Sequence, residues 1–155
     1  MLQRLTLLAA LFWCTVLEAQ NRELLGEFKI GFVGRDQENV IYQAAQEGAQ
    51  AAALELSKKY SIDIEVVIYT PDKTLGGSQM NSLAELFIKD ADGLIISPEK
   101  TEAVGASIDF ALLQGQEVVF FESQLSDRES LTSVLADELE AGRLAGRSIL
   151  SKLPT

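Results

Sequence analysis

The chain has 155 residues, of which 47% are hydrophobic and 23% are charged, a composition typical of one soluble globular domain. Its formal net charge of −10 excludes a protein that binds a nucleic-acid backbone through a basic surface. The sequence has no histidine and one cysteine, Cys14. This composition therefore excludes Ser-His-Asp and Cys-His catalysis, histidine-ligated metal sites and an internal disulfide.

Residues 1–19 have the pattern of a secretory signal. Arg4 precedes an apolar run from Leu5 to Leu17, and Ala19 is the predicted cleavage point. The run is shorter than the roughly 20 residues that a membrane-spanning helix needs. We expect residues 1–19 to be a signal peptide and the mature chain to be periplasmic or secreted. A buried N-terminal helix is the alternative interpretation.

The remaining chain alternates between predicted strands and predicted helices. Short segments rich in β-branched and aromatic residues predict five strands, at 28–34, 62–69, 92–98, 117–122 and 131–136. Apolar residues spaced three or four apart predict four helices between and after them. In chain order, the predicted apolar stripes are Ile41, Ala45, Gly48, Ala49, Ala52 and Leu56; Met80, Leu83, Ala84 and Phe87; Val104, Ile108, Ala111 and Leu112; and Leu139, Gly142, Ala145, Ile149 and Leu150.

This alternation predicts an α/β fold with a parallel sheet, because strands joined by helices form right-handed crossovers. The nearly continuous apolar strands at 94–96 and 118–121 favour a three-layer arrangement with helices on both faces. Ligands of such sheets bind beyond the carboxyl ends of the strands. We therefore expect a binding site among the loops 35–39, 70–73, 97–101, 122–124 and 137–138.

These loops lack the motifs of nucleotide chemistry. They contain no G-x-G-x-x-G and no Walker loop, and Ser97 stands where a phospho-acceptor domain has an aspartate. We expect no cofactor and no metal. A glycosidase that pairs two of the loop acids Asp36, Asp72, Glu99 and Glu122 is an alternative. No spacing fixes such a pair, however, so we expect solvated or sugar-accepting acids and no enzymatic activity.

Several segments match a known family in order and spacing. They are residues 30–33, 39–42, 47–52, 92–98, 115–123 and 137–146, with Asp72 and Gln79 between them. From Lys29 to about Leu153, the sequence resembles the N-terminal lobe of the periplasmic binding proteins of the ribose, arabinose and galactose type, which share their fold with the ligand cores of the lactose-repressor family. The resemblance implies a single lobe over residues 28–153 with a flavodoxin-like strand order.

The resemblance also implies a sugar site. Arg35 and Asn39 correspond to polar contacts after the first strand, and Tyr42 corresponds to the second of two often aromatic positions. Glu122 corresponds to a sugar-binding aspartate, and Asp137 to an aspartate near the hinge. Rings cover the apolar faces of a sugar, while charged side chains and amides bind its hydroxyls. The structural alternatives are a solvated charge for Arg35, helix caps for Asn39 and Asp137, and core packing for Tyr42.

The sequence departs from the family at this site. Ile41 replaces the first aromatic residue, Glu122 is one methylene longer than the usual aspartate, and Ser123 replaces an arginine typical of ribose binders. These differences imply an altered ligand site, with a ligand other than ribose or with none.

The resemblance implies the solute-binding component of a sugar ABC-type uptake system, truncated to one lobe, that binds a monosaccharide or related polar molecule. Its partners would be a membrane permease or a sensor protein. A complete binding protein encloses its ligand between two lobes, so one lobe leaves ligand surface exposed and loses affinity. Three interpretations stay open: a one-lobe binder or non-binding remnant, a lobe completed by another polypeptide or by a second copy in a homodimer, and a different exported sensor or interaction module.

Overall fold

The computed structural model describes residues 25–79, 81–83 and 91–152, so the predicted signal peptide at 1–19 lies outside the described residues. It contains one five-stranded sheet with the order β2-β1-β3-β4-β5, in which every neighbouring pair is parallel. The strands are β1 (Glu27–Val33), β2 (Asp63–Ile68), β3 (Gly93–Ile96), β4 (Glu117–Phe121) and β5 (Thr132–Val134). The predicted parallel sheet and its flavodoxin-like order are confirmed.

The described residues include the long helices α1 (Val40–Tyr60), α2 (Glu102–Leu113) and α3 (Glu138–Leu150), and a short 3-10 helix at Lys73–Leu75. Gln79 and residues 81–83 are also helical. Each long helix begins after a side chain that accepts a hydrogen bond from a backbone N–H of its first turn, namely Asn39, Thr101 and Asp137. Such caps satisfy donors that the helix itself leaves unpaired. In the part of the chain that the structure describes, no helix is long and apolar enough to cross a bilayer.

One face of the sheet carries the main hydrophobic core. Leu83 and the predicted stripe of α2 cover it, and the buried members of the cluster are Val33, Leu83, Ala91, Leu94, Ile96, Val104, Ile108, Ala111, Val118 and Phe120. Burial of each large side chain contributes about 1.5–3 kcal/mol. Met80, Ala84 and Phe87 of the second predicted stripe lie outside the described residues.

The opposite face carries α1. The predicted apolar stripe of this helix is wrong, because the side that is buried is rotated by about one residue from it. Tyr42 and Ala53 are the buried residues of α1, whereas Ile41 is 56% exposed and Ala52 is exposed. The Tyr42 ring packs edge-on against Phe121, with ring centroids 6.1 Å apart. Alanines occur on several sides of this helix, so the spacing of its apolar residues alone does not determine which side faces the sheet.

The helix α3 is present as predicted, but its stripe does not pack on the sheet. None of its residues is buried, and Leu139, Ile149 and Leu150 are each about two-thirds exposed, at 65%, 64% and 68%. The predicted stripe of α3 is therefore exposed within the described residues. Amphipathic spacing predicts a helix with an apolar side, but it does not identify the surface that this side meets.

Candidate functional site

The loops at the carboxyl edge of the sheet are joined by one buried side chain. The Gln79 amide donates to the carbonyl oxygens of Gly34, at 2.9 Å, and Ser97, at 2.7 Å. Its oxygen accepts a 2.7 Å bond from the Glu99 backbone N–H. Gln79 is fully buried, so each bond replaces one that water would otherwise make. The ends of β1 and β3 are thereby held together.

Three of the predicted site residues meet at this edge. The Arg35 guanidinium forms an ion pair with the Glu122 carboxylate, and Arg35 Nε donates a 2.5 Å hydrogen bond to the Tyr42 hydroxyl. The Tyr42 hydroxyl lies 3.4 Å from Glu122 Oε2. The guanidinium carbon lies 5.7 Å from the centroid of the Tyr42 ring, which adds a cation–π contact.

Ser97 completes this cluster, and its contact with Glu122 was not expected from the sequence. The Ser97 hydroxyl donates a 2.7 Å hydrogen bond to Glu122 Oε2. Ile96 and Phe120 are partners in the β3–β4 register, so Ser97 and Glu122 follow neighbouring strands within two residues of that pair. The sequence does place both residues directly after predicted strands. Because the carboxyl ends of adjacent parallel strands lie side by side, this placement could have predicted the contact.

The three donors on Glu122 share one of its two oxygens. Arg35, Tyr42 and Ser97 all contact Oε2, and within the described residues Oε1 has no hydrogen-bond partner. Arg35 uses Nε and one Nη2 bond, although a guanidinium carries five N–H donors. The two side chains are 34% and 36% exposed. The cluster therefore presents both an acceptor and donors to solvent.

The charges of this pair are stabilised by their surroundings. Burial acts to raise the pKa of Glu122, but the Ser97 hydrogen bond and the Arg35 charge outweigh it, so the pKa lies below its usual value. Burial acts to lower the pKa of Arg35, but Tyr42 and Glu122 raise it above its ordinary value. Both groups are therefore charged at neutral pH.

Glu122 also has an unusual backbone conformation. Its φ is +59°, in the left-handed region that costs an ordinary L-residue about 1–2 kcal/mol. The Glu122 N–H donates to the Val134 carbonyl oxygen at 3.0 Å, which joins this turn to β5. Strained residues of this kind cluster at functional sites, where the surrounding structure holds them in place.

The remaining predicted site residues, Asn39 and Asp137, serve as helix caps. Asn39 Oδ1 accepts a 2.9 Å bond from the Ile41 N–H, and Asp137 Oδ1 accepts a 2.9 Å bond from the Glu140 N–H. Both residues are exposed, and neither forms a hydrogen bond with Arg35 or Glu122. The structural alternative considered for each residue is thus present, and a ligand contact remains a prediction.

The loop acids have separate partners. Asp36 accepts from the Glu38 N–H at 3.0 Å, and Glu99 binds Lys73 Nζ at 2.7 Å. Asp72 caps the 3-10 helix, and the hydrogen bond from Thr74 lowers the pKa of Asp72. A glycosidase general acid needs a raised pKa, so the shifts of Asp72 and Glu122 run against that role. Within residues 25–79, 81–83 and 91–152, no group of three or more ligating side chains could hold a metal ion.

Solved structures with this fold include proteins named for ribose transport and for glucose-galactose binding. A periplasmic ribose ABC transporter from Conexibacter woesei superposes with a TM-score of 0.66 at 23% identity, covering 85% of this chain and 42% of its own. GanP, a glucose-galactose binding protein from Geobacillus stearothermophilus, gives 0.63 at 21% identity, covering 81% and 42%. The XylFII-LytSN complex gives 0.60 at 20% identity, covering 83% and 45%. The chain thus spans less than half the length of these proteins.

A search of curated protein sequences finds no significant match. The family model described as the periplasmic binding protein domain matches residues 30–155, which is most of the chain. The described fold agrees with one lobe of the solved structures, as their coverage also indicates. The chain therefore belongs to the periplasmic binding protein domain family, and its five-stranded sheet is a single lobe of that fold.

Proposed function

We propose that this protein binds a monosaccharide or a related small polar ligand at the carboxyl edge of its sheet, through the cluster of Arg35, Tyr42, Ser97 and Glu122. The observation that carries the proposal is the arrangement around Glu122. Its Oε2 receives the protein donors, while Oε1 has no partner among the described residues. A hydroxyl donor can use Oε1 without breaking any of these bonds.

The chemistry of a sugar rim fits this arrangement. A hydroxyl donates to a carboxylate and accepts from a guanidinium, and adjacent hydroxyls can do both at once. Hydrogen bonds to ionised groups are roughly twice as strong as neutral ones. Because Arg35 and Glu122 compensate each other's charge, an uncharged ligand leaves no new unpaired charge. Ile41, which is 56% exposed at the start of α1, supplies aliphatic surface in place of an aromatic ring.

The proposed biological role is that of an exported solute-binding component of an ABC-type sugar uptake system, without catalysis. Residues 1–19 would be its signal peptide and residues 28–153 its binding lobe, in the periplasm or secreted. The support is the family membership together with solved structures titled as a ribose transporter component and a glucose-galactose binding protein. A membrane permease is the expected partner in this role.

A second candidate is an interaction module that docks on a sensor protein or on another copy of itself. The observation that favours it is α3, none of whose residues is buried. One solved structure with this fold is titled as a complex, XylFII-LytSN. In this role the carboxyl-edge cluster would bind ligand weakly or not at all.

Calorimetry with a panel of neutral monosaccharides at millimolar concentration tests the binding role. We expect Glu122→Gln to weaken binding at least about tenfold, since hydrogen bonds to charged groups contribute about 1.5–3 kcal/mol. The control is Glu117→Gln, which removes a carboxylate at the opposite end of the same strand. Absence of binding by the unmodified chain to every sugar, or equal losses in both variants, contradicts the proposed site.

A further inference from the structure

The loop between β4 and β5 begins with the site carboxylate and carries a largely buried arginine further along. Its first residue, Glu122, forms a γ-turn, in which the Ser123 N–H donates a 2.6 Å hydrogen bond to the Phe121 carbonyl oxygen and φ is +59°. A γ-turn with a positive φ is rare and strained. Such a conformation persists only where the surrounding structure holds it, so other contacts of this loop must oppose its relaxation.

Packing beneath this loop is incomplete. Leu125 contacts the main hydrophobic core, and the Arg128 N–H donates to the Leu125 carbonyl oxygen at 3.3 Å, which closes a short turn. Between this turn and the start of α2 lies a cavity of about 480 Å³, bordered by polar residues that include Thr101, Gln124 and Ser126. Apolar packing therefore leaves a gap here, and the side chain of Arg128 crosses from the loop to the helix.

Arg128 lies along one side of α2. Its Nε is 2.9 Å from Asp109 Oδ1, and its Nη2 is 3.6 Å from Glu102 Oε1. Glu102 and Asp109 are about two helical turns apart, which places them on the same side of the helix. Asp127 forms a third ion pair, with Nη1, at 2.6 Å. Exposed ion pairs contribute little to stability, but the Arg128 side chain is only 17% exposed, so packing constrains it as well as charge.

A glycine lies where the guanidinium meets the helix. Gly105 is buried in α2 between Glu102 and Asp109. A Cβ atom there would be 3.1 Å from Arg128 Nη2 and 3.4 Å from Cζ and Nε, which is tighter than ordinary contact. Glycine weakens a helix interior relative to alanine, and the helical backbone at this position does not require it. The close approach of Arg128 does.

We propose that Arg128 is a positioning residue that, by lying on Gly105 between Glu102 and Asp109, fixes the loop after β4 to α2 and holds the strained turn of Glu122 in place. Arg128 acts through the intervening backbone of residues 123–127 and not by contact with the carboxylate. The inference rests on the proposed function only for its effect on ligand binding, since the effect on Glu122 can be measured without a ligand.

Titration of the Glu122 carboxyl group reports on this linkage. Burial raises the pKa of Glu122, whereas the contacts with Ser97, Arg35 and Tyr42 together lower it below its usual value. Carbon-13 NMR follows the titration, and Glu122→Gln identifies the signal. We expect Arg128→Met to raise the midpoint by about half a pH unit or more, because a loosened turn weakens those contacts.

Two further variants separate position from charge. Arg143→Met removes an arginine that pairs with Glu140 on α3, and we expect it to move the Glu122 midpoint by less than about 0.2 pH unit. Gly105→Ala keeps the charge of Arg128 but crowds its guanidinium. We expect a smaller rise of the midpoint in this variant, which the loss of a charge cannot explain.

Calorimetry tests the consequence for binding. We expect the dissociation constant of a sugar that the unmodified chain binds to rise at least about threefold in Arg128→Met, because the carboxylate is no longer held in its productive orientation. In Arg143→Met it should stay within a factor of about two. If no sugar binds the unmodified chain, the proposed function fails, while the titration still decides the role of Arg128.

Thermal unfolding tests the contact between Arg128 and Gly105 itself. We expect Gly105→Ala to raise the melting temperature more in the Arg128→Met background than in the unmodified chain, because the gain in helix propensity is then free of the contact. Equal changes in the two backgrounds would overturn the proposed contact. An unchanged Glu122 midpoint in Arg128→Met, or equal shifts in Arg128→Met and Arg143→Met, would overturn the positioning role. If Arg128→Met does not fold, an unchanged midpoint in Gly105→Ala has the same meaning.

Discussion

The hydroxyl of Ser97 donates a 2.7 Å hydrogen bond to Oε2 of Glu122, and this bond joins the ends of two neighbouring strands. Arg35, in the loop before α1, and Tyr42, near the start of α1, contact the same oxygen. Glu122 is therefore the point at which the loops after β1, β3 and β4 meet. The predictions below follow from this convergence and from the packing beneath it.

Protonation of Glu122 should destabilise the protein in acid. Its pKa is lower in the folded chain than its usual value of 4.5, so its contribution to stability is present above about pH 4.5 and is lost as the pH falls through the folded pKa. We expect the difference in unfolding free energy between the unmodified chain and Glu122→Gln to shrink between pH 6 and pH 3. Urea unfolding at each pH measures it, and a difference that grows in acid would contradict the assignment.

Replacement of Glu122 by glycine should separate stability from binding. Glycine adopts a φ of +59° without the penalty of about 1–2 kcal/mol that a side chain meets there. Part of this gain is offset by the greater freedom of glycine in the unfolded chain. We expect the free energy of unfolding of Glu122→Gly to be about 1 kcal/mol higher than that of Glu122→Gln. Both variants lose the carboxylate. Equal stabilities by chemical denaturation would show that the strain is not released by glycine.

Removal of the Gln79 amide should loosen the carboxyl edge. Gln79→Leu keeps the approximate volume but leaves the Gly34 and Ser97 carbonyl oxygens and the Glu99 N–H without their partner. Each unsatisfied buried group costs about 1–3 kcal/mol. We expect a loss of about 3 kcal/mol in unfolding free energy, measured by urea titration. Gln50→Leu, on the exposed side of α1, should change it by less than about 0.5 kcal/mol.

A methyl group at Gly34 should displace Tyr42. A Cβ there would lie 2.9 Å from Tyr42 Cβ and Cγ and 3.0 Å from Thr70 Cγ2. We expect Gly34→Ala to lose about 1–3 kcal/mol of stability and to weaken sugar binding in calorimetry. Gly48→Ala is the control, because its Cβ would meet nothing within 4 Å and it should gain up to about 1 kcal/mol in the helix. Similar effects at the two positions would contradict a specific clash with Tyr42.

The positions of the strands could be predicted because each is a short β-rich run bounded by turn residues. The side of α1 that faces the sheet could not be predicted, because Ala52 and Ala53 are equally apolar. The contact between Tyr42 and Phe121 determines which of them is buried. A packing contact between residues that are distant in sequence leaves no periodic signal. The helix α3 is the converse case, because its stripe is clear in the sequence and its partner surface is not.

The cluster around Glu122 was predictable only in part. Arg35, Tyr42 and Glu122 were identified because they match positions of a known family. Ser97 has no charge or ring to mark it, and its role depends on the register that places β3 beside β4. Asn39 and Asp137 have the residue types of both a ligand contact and a helix cap, and sequence alone does not distinguish the two roles.

The shared contacts of Arg35, Tyr42 and Ser97 on one oxygen have a consequence for the energetics of recognition. The rotamers of Arg35 and Glu122 are already fixed when the chain folds, and fixing such a side chain on association would otherwise cost about 0.5–1.5 kcal/mol. A ligand that binds at Oε1, as proposed, would therefore meet a carboxylate whose orientation is set before binding. The side-chain entropy of Arg35 and Glu122 is lost when the chain folds. It therefore would not be lost again on binding, and the binding affinity would be reduced less.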